Sequence, residues 1–273
     1  MLYICATPIG NLEDITLRVL RVLREVDLIV AEDTRQTRKL LSHYQISRPL
    51  TSLHKFNEHD KAEVILELLR EGKQIALVSD AGTPGISDPG AELISKVIAA
   101  DLPLTVLPGA NACITAIVQS GLLQGPFYFH GFLPRKQSQA AELLNSLAAL
   151  TCPLVFYEAP HRLLSTLTIL ETTLGDRLCA VARELTKKFE EVQRGTLSQL
   201  RQLYTETEPR GEFVIVVAGA NSTTTDGVDE RLVKQHLAEL LAQGVSRKDA
   251  VRKTAEYFHI GKNEVYQYAL EIE

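Results

Sequence analysis

Residues 79–90 read SDAGTPGISDPG and directly follow the apolar run Ile75-Ala76-Leu77-Val78. Gly82, Gly85 and Gly90 allow positive φ and close backbone approach, while Pro84 and Pro89 fix φ and stiffen the loop. A turn made only to reverse the chain does not need three glycines, two prolines and two aspartates. A helical stretch follows, from Pro89 to about Ala100. A buried strand entering a glycine-rich loop and leaving as a helix is a βα unit, and in open α/β sheets ligands bind beyond the carboxyl ends of the strands. The loop is therefore read as a ligand-binding element, with Asp88 and Pro89 expected as N-cap and first residue of the next helix.

Three further loops share this arrangement. Thr7-Pro8-Ile9-Gly10-Asn11 follows an apolar run at residues 2–6, Glu32-Asp33-Thr34-Arg35 follows one at 27–31, and Pro108-Gly109-Ala110-Asn111 follows one at 104–107. If the strands are parallel, all four loops meet at one sheet edge, which makes a site there more probable than any one loop does. Helices are expected from Thr16, at 62–70 with Gly72 as its C-terminal glycine, and at 112–120. Beyond the break at 121–126 come strands at 127–132, 153–157, 178–182, 190–194 and 213–218, with helices at 138–150 and 161–173. The expected organisation is an α/β lobe at 1–121, a second at 122–220, a small polar linker at 220–227, and a helical extension at 228–273. In the extension, Ser246 and Asp249 form a capping-box-like start, Gly261 makes a turn and Asn263 caps a third helix. The layout is helix-turn-helix-like or a small packing module.

The chain has 273 residues, 45% of them hydrophobic and 23% charged, enough for one large or two small cores. Cys5, Cys113, Cys152 and Cys179 lie far apart in apolar stretches, which fits reduced thiols in the cytoplasm and no metal or redox motif. The N-terminus lacks the basic flank of a signal peptide. Residues 102–134 carry no formal charge but are broken by prolines and glycines, so they read as buried core and not as a membrane span. A net charge of -5 argues against a broadly basic nucleic-acid surface. No GxGxxG, GxxxxGK[ST], GxSxG or HExxH occurs, which disfavours dinucleotide binding, P-loop chemistry and two hydrolase classes.

Seven motifs occur in one order: ATPIGNLED (6–14), AEDTR (31–35), SDAGTPGISDPG (79–90), LPGANA (107–112), GFLPRK (131–136), YEAPHR (157–162) and ARELTKKFEE (182–191). In this the chain resembles the small-subunit ribosomal RNA methyltransferase I family of the tetrapyrrole methylase superfamily, over nearly its whole length. The resemblance implies two α/β lobes, S-adenosylmethionine in the cleft between them, a homodimer, and 2′-O-methylation of a cytidine in the decoding region of 16S rRNA. By motif it places cofactor contacts at Pro8, Ala81, Gly82, Thr83, Ile86, Asn111, Ala112, Glu158 and Leu185. Relatives often carry GDP where this chain has GTP, so Asp80 is a further candidate.

Transfer from an activated methyl group mainly requires alignment of the acceptor oxygen, helped by a base or a cation because a ribose hydroxyl is a weak acid. Glu32 and Asp33 are the candidate bases, and Arg35, Arg183 and Lys187 the candidate electrostatic stabilisers; a local Glu32-Asp33-Arg35 salt-bridge cluster is the alternative. Arg38, Lys39, Arg135, Lys136, Arg162 and Lys188 are the candidate RNA contacts, expected along one face of the cleft. Tyr128, Phe129 and Phe132 read first as strand core, with base stacking as the alternative. Two competing functions remain: a same-fold methyltransferase acting on a tetrapyrrole or other small molecule, and a non-catalytic S-adenosylmethionine-binding module docked on ribosomes.

Overall fold

The computed structural model describes residues 1–54, 57–220, 230–258 and 262–271. The first sheet holds five short strands: β1 (Leu2–Cys5), β2 (Leu28–Ala31), β3 (Leu50–Ser52), β4 (Ile75–Val78) and β5 (Leu104–Leu107), in the order β3-β2-β4-β1-β5. Every pairing is parallel. Parallel strands need helical crossovers, and these cover both faces. On one face, α1 (Leu17–Glu25) and α2 (Thr34–His43) pack Val19, Leu23 and Leu41 on Cys5, Ile29, Ala31 and Val78. On the other, α3 (Glu58–Arg70) and α4 (Ala91–Ala99) pack Ile65, Leu69, Leu93 and Val97 on Leu2, Ile4, Val30 and Leu77. Each such side chain contributes roughly 1.5–3 kcal/mol by leaving water.

The next helix, α5 (Ala112–Ser120), follows the first sheet but packs on the second, placing Cys113, Ala116 and Ile117 against Val155, Ala180, Ala182 and Val214. The second sheet is mixed. It contains β6 (Tyr128–Phe132), β7 (Leu154–Glu158), β8 (Leu178–Arg183), β9 (Glu191–Thr196) and β10 (Phe213–Val217) in the order β6-β7-β10-β8-β9. Only β6 and β7 pair in parallel; the other pairings are antiparallel. Its remaining helices are α6 (Gln137–Leu147), α7 (Leu163–Leu174) and α8 (Leu197–Glu206).

Register fixes the side-chain faces of this sheet. Phe213 pairs with both Glu158 and Arg183, and Arg183 pairs with Glu191, so these four lie in one row on one face. Their neighbours Tyr157, Val214, Ala182 and Val192 occupy the face under α5.

The expected α/β pattern is present, with differences at particular elements. α2, β3 and α8 were not anticipated. α4 begins at Ala91, and its N-cap is Gly90, with φ 125° and no side-chain cap. Asp88 and Pro89 do not start the helix. The Glu58 carboxylate, reaching from α3, accepts instead from the N–H groups of Gly90 (2.9 Å), Glu92 (3.0 Å) and Leu93 (3.3 Å). Residues 160–162 form a 3-10 turn, so α7 starts at Leu163 and not at His161.

By contacts, residues 1–148 with 152–218 form one unit that holds both sheets, and residues 149–151 with 219–273 form another. The described residues of the second unit form three helices, α9 (Glu230–Ala242), α10 (Arg247–Phe258) and α11 (Lys262–Glu271), around Val233, Leu237, Ala250, Ala255, Val265 and Ala269. Ser246 Oγ accepts from the Asp249 N–H (3.2 Å) and donates to the Asp249 carboxylate (2.7 Å). Residues 221–227 of the expected linker, the Gly261 turn and the Asn263 side chain lie outside the described residues.

Candidate functional site

Because β1, β2, β4 and β5 are parallel, their four following loops emerge at one edge of the first sheet. Two of them are tied together. Thr7 and Gly82 exchange N–H···O bonds of 2.8 and 2.9 Å, and Thr7 Oγ1 donates to the Ser79 carbonyl (3.1 Å). Gly82 sits at φ 77°, where a side chain is strained. Gly109 packs its Cα on Ala6, where an added Cβ would lie 2.7 Å from the alanine methyl.

Against this edge lie the ends of β6, β7 and β8 and the start of β10. Between the two sets is a cavity of about 340 Å3. Ala81, Gly82, Thr83, Ile86, Ser87 and Asp88 form its wall from the glycine-rich loop, and Asn111 and Ala112 form it from the start of α5. Phe132, Tyr157, Glu158, Leu185, Glu212 and Phe213 close it from the second sheet. Asn111 caps α5 by accepting from the Ile114 N–H (3.1 Å), and the Tyr157 hydroxyl accepts from the Cys113 N–H (3.1 Å). Burial pushes the Tyr157 hydroxyl up to about 12, so it stays protonated.

Of the ten candidate cofactor contacts, eight line the cavity: Ala81, Gly82, Thr83, Ile86, Asn111, Ala112, Glu158 and Leu185. Pro8 is buried behind the wall, and Asp80 is exposed outside it. Glu158 is in the wall, but its carboxylate is only 2% exposed and is committed elsewhere. Oε1 accepts from the Ala159 N–H (2.8 Å), Oε2 accepts from Thr166 Oγ1 (2.6 Å), and Arg162 Nε lies 3.5 Å away.

Leu185 reaches the cavity from a strained turn. Glu184 and Thr186 on either side of it have φ of 49° and 65°, which non-glycine residues seldom adopt. Surrounding bonds hold the turn: Glu184 Oε1 accepts from Lys187 Nζ (2.9 Å) and the Glu212 N–H (3.0 Å), and the Thr186 N–H donates to Glu190 Oε2 (2.6 Å). Gly10 passes directly beneath this turn, and Thr186 Oγ1 accepts from the Asn11 N–H (2.9 Å). Much of the ARELTKKFEE motif is thus spent on shaping one turn.

None of the five candidate catalytic side chains lines the cavity. Arg183 falls on the opposite face of the second sheet by register, where its Nε donates to the Arg210 carbonyl (2.7 Å). Lys187 is held between Glu184 and Glu212, at 2.9 and 2.7 Å. Asp33 caps α2 and binds Arg35, which holds its carboxyl down at about 2. Glu32 accepts from the Asp80 N–H (3.4 Å), and burial, followed by repulsion from Asp88, raises its carboxyl.

Asp88, expected as a helix cap, lies in the cavity wall instead. Burial raises its carboxyl, a hydrogen bond with Ser79 partly opposes the rise, and Asp80 adds to it. Of the other acids in the wall, Glu158 is fully bonded and Glu212 is paired with Lys187. Phe132 and Tyr157 are further wall residues outside the expected set; Phe132, read as strand core, is 53% exposed.

Among the candidate RNA contacts, Arg38, Lys39, Arg135, Lys136 and Lys188 are exposed. Arg135 and Lys136 follow β6 and Lys188 follows β8, at the cavity edge of the second sheet. Arg162 differs. It donates to the carbonyls of Leu133 (3.0 Å) and Pro134 (3.2 Å) and neutralises Glu158, so its cation serves the fold.

Residues 1–201 match the Tetrapyrrole (Corrin/Porphyrin) Methylases. Along its whole length the chain is 47% identical to a "Ribosomal RNA small subunit methyltransferase I" of Synechocystis sp., covering 98% of that protein. It is 45% identical, over 97% of its length, to the protein of the same name from Bacillus subtilis, covering 92% of it. Among solved structures, uroporphyrin-III C-methyl transferase from Thermus thermophilus, complexed with S-adenyl homocysteine, matches with a TM-score of 0.57 at 17% identity. That match covers 80% of this chain and 96% of the other, and at this identity it speaks for a shared fold.

Proposed function

Since the chain belongs to the ribosomal RNA small subunit methyltransferase I family of the tetrapyrrole methylases, we propose that it uses S-adenosylmethionine to methylate a cytidine ribose 2′-hydroxyl in the decoding region of 16S rRNA. The observation that carries this reading is the cavity itself: an otherwise largely apolar enclosure, built on a glycine-rich loop, with the Asp88 side chain, hydrogen-bonded to Ser79, in its wall.

The residues fit the cofactor. Ala81 and Gly82 bring main chain, not bulky side chain, to the cavity surface. Ile86, Phe132 and Leu185 offer apolar walls to a heteroaromatic ring, and the Asp88 carboxylate suits a cationic ligand. A relative of the same fold was solved with S-adenyl homocysteine, the demethylated form of this cofactor. When bound, S-adenosylmethionine supplies a methyl group already activated on a sulfonium.

The protein then has two tasks. The first is positioning: the Thr7–Gly82 tie, the Asn111 cap and the strained turn at Leu185 hold the walls before any ligand arrives. The second is the proton. As the acceptor oxygen gains the methyl group, its hydrogen passes to the Asp88 carboxylate, which a raised pKa makes a better base than an ordinary aspartate. Asp33 is unsuited to that role because Arg35 stabilises its ionised form. Arg38, Lys39, Arg135, Lys136 and Lys188 supply the phosphate contacts that the overall charge does not.

The proposal includes a homodimer acting in the cytoplasm, where ribosomal subunits are made. Ile114 and Val118, one turn apart on α5, are 51% and 64% exposed, and Val106 on the edge strand β5 is 52% exposed. A second copy covering this apolar face would remove it from water.

The test is to incubate the protein with radiolabelled S-adenosylmethionine and small ribosomal subunits from cells lacking the gene, then digest the RNA to nucleosides. Label in 2′-O-methylcytidine is expected. Cofactor binding without label in RNA would overturn the reading in favour of a small-molecule acceptor or a binding module.

A further inference from the structure

A second cavity, of about 130 Å3, shares one wall residue, Phe213, with the first. Arg183, Glu191, Gln193, Tyr204 and Arg210 contribute to its wall. The strand register explains its place. Glu158, Phe213, Arg183 and Glu191 form one row, and the cavity occupies the α8 side of that row, at the same sheet edge as the larger cavity.

Its polar groups are incompletely used. Tyr204 is 5% exposed, and its hydroxyl is buried with no hydrogen-bond partner among the described residues. Such a group is costly to leave unsatisfied. Burial pushes it up to about 12, so it stays protonated and can donate. Arg183 Nη1 stands 3.7 Å from Glu191 Oε2, too long for a hydrogen bond, and the Gln193 side-chain amide donates to Glu191 Oε1.

The charges select the ligand class. Two guanidiniums, of Arg183 and Arg210, are matched by two carboxylates, of Glu191 and Glu208, with Arg210 and Glu208 paired at 2.6 Å at the rim, so the lining has no net charge. A phosphate or a free carboxylate gains nothing here. A neutral planar ring with both donors and acceptors on its edge matches the guanidinium, the carboxylates and the tyrosine hydroxyl. Phe213 and Tyr204, buried and packed edge to face with 5.8 Å between centroids, form the apolar floor beneath these groups. Proteins that read single-stranded RNA recognise splayed bases by hydrogen bonds to their edges.

We infer that this cavity receives one unpaired base of the RNA substrate, next to the cofactor cavity and separated from it by Phe213. The inference rests on the rRNA reading above. A base anchored here would set the register of the strand relative to the methyl donor.

The test is Tyr204→Phe, which removes the hydroxyl and keeps the ring. With unmodified small subunits as substrate, KM for the subunits should rise roughly three- to tenfold, the loss of one hydrogen bond. Turnover at saturation, S-adenosylmethionine affinity by calorimetry and Tm should not fall. An unchanged KM would overturn the inference, and a raised Tm beside it would show a merely unsatisfied hydroxyl whose removal relieves the fold. A wild-type protein that binds S-adenosylmethionine but labels no RNA would overturn the parent reading, and this inference with it.

Discussion

Thr7 and Gly82, 75 positions apart in sequence, exchange two backbone hydrogen bonds of 2.8 and 2.9 Å. This small antiparallel bridge continues no strand. It joins the loop after β1 to the loop after β4 at the point where the cavity wall begins, so the ligand-facing main chain is fixed by the scaffold before a ligand binds.

The glycines of this wall should differ in what they tolerate. At Gly82 an added methyl would meet Ile9 at 3.5 Å, ordinary contact, so Gly82→Ala should cost only the left-handed backbone, about 1–2 kcal/mol. At Gly90 the methyl would lie 2.8 Å from a Leu77 methyl, at φ 125°. Gly90→Ala should therefore be the more destabilising of the two in urea unfolding. Equal losses would mean that the core under Leu77 yields freely.

Arg162 and the pair Arg38 and Lys39 should separate fold from RNA contact. Arg162→Ala leaves the buried Glu158 carboxylate without its cation and should cost about 3 kcal/mol in urea unfolding. Replacing Arg38 and Lys39 with alanine should leave stability within about 0.5 kcal/mol. The double variant should also lower the salt slope of RNA binding by roughly 0.7 per cation. A stable Arg162→Ala protein with a reduced salt slope would return Arg162 to the RNA surface.

The contrast between these cations shows where the sequence is informative. The four loops at one edge follow from strand spacing and loop chemistry, because a glycine at a strand end announces its backbone need locally. Arg162 and Lys188 look equivalent in sequence; only the buried Glu158 four residues earlier, and the Leu133 and Pro134 carbonyls, separate them. Arg183 lay on the unexpected face because its side depends on β8 pairing with β10 in one register. Asp88 carried a competing local reading, since Asp-Pro is a good helix start, and the capping was supplied from distant Glu58. α8 did carry a signal, the Thr196-Leu-Ser-Gln199 capping box, in which Thr196 and Gln199 side chains bond reciprocally. β3 carried little, being three half-buried residues at a sheet edge.

Asp33 gives a pH-dependent stability with a defined sign. Its folded carboxyl is held at about 2 by Arg35, below the ordinary value near ~3.9. The stabilisation is therefore complete above about pH 4 and is lost as pH falls toward 2. Asn also caps helices well, so Asp33→Asn isolates the charge. The Tm difference between wild type and Asp33→Asn should be constant from pH 5 to 7 and shrink below pH 4. Turnover of the variant should persist with normal cofactor affinity; its loss would restore Asp33 as the base.

Asp88 gives the opposite direction, and in activity. Burial raises its carboxyl above the ordinary range, so it loses its charge at a higher pH than Asp33 does. A base must be ionised to accept a proton, so kcat should fall as pH drops through this raised value. The acid limb should lie above the ordinary aspartate range. Asp88→Asn should lower kcat by roughly 100-fold or more, the usual scale for a general base, and should remove the limb from what activity remains. The same substitution relieves a buried carboxylate, so Tm near neutral pH should hold or rise. Cofactor affinity, measured separately, distinguishes the proton role from simple attraction of the cationic ligand. A large loss of affinity with kcat intact would assign Asp88 to binding. An unchanged acid limb in Asp88→Asn would move the base to Glu32, whose carboxyl is also raised by burial and stands close enough to Asp88 to feel its charge.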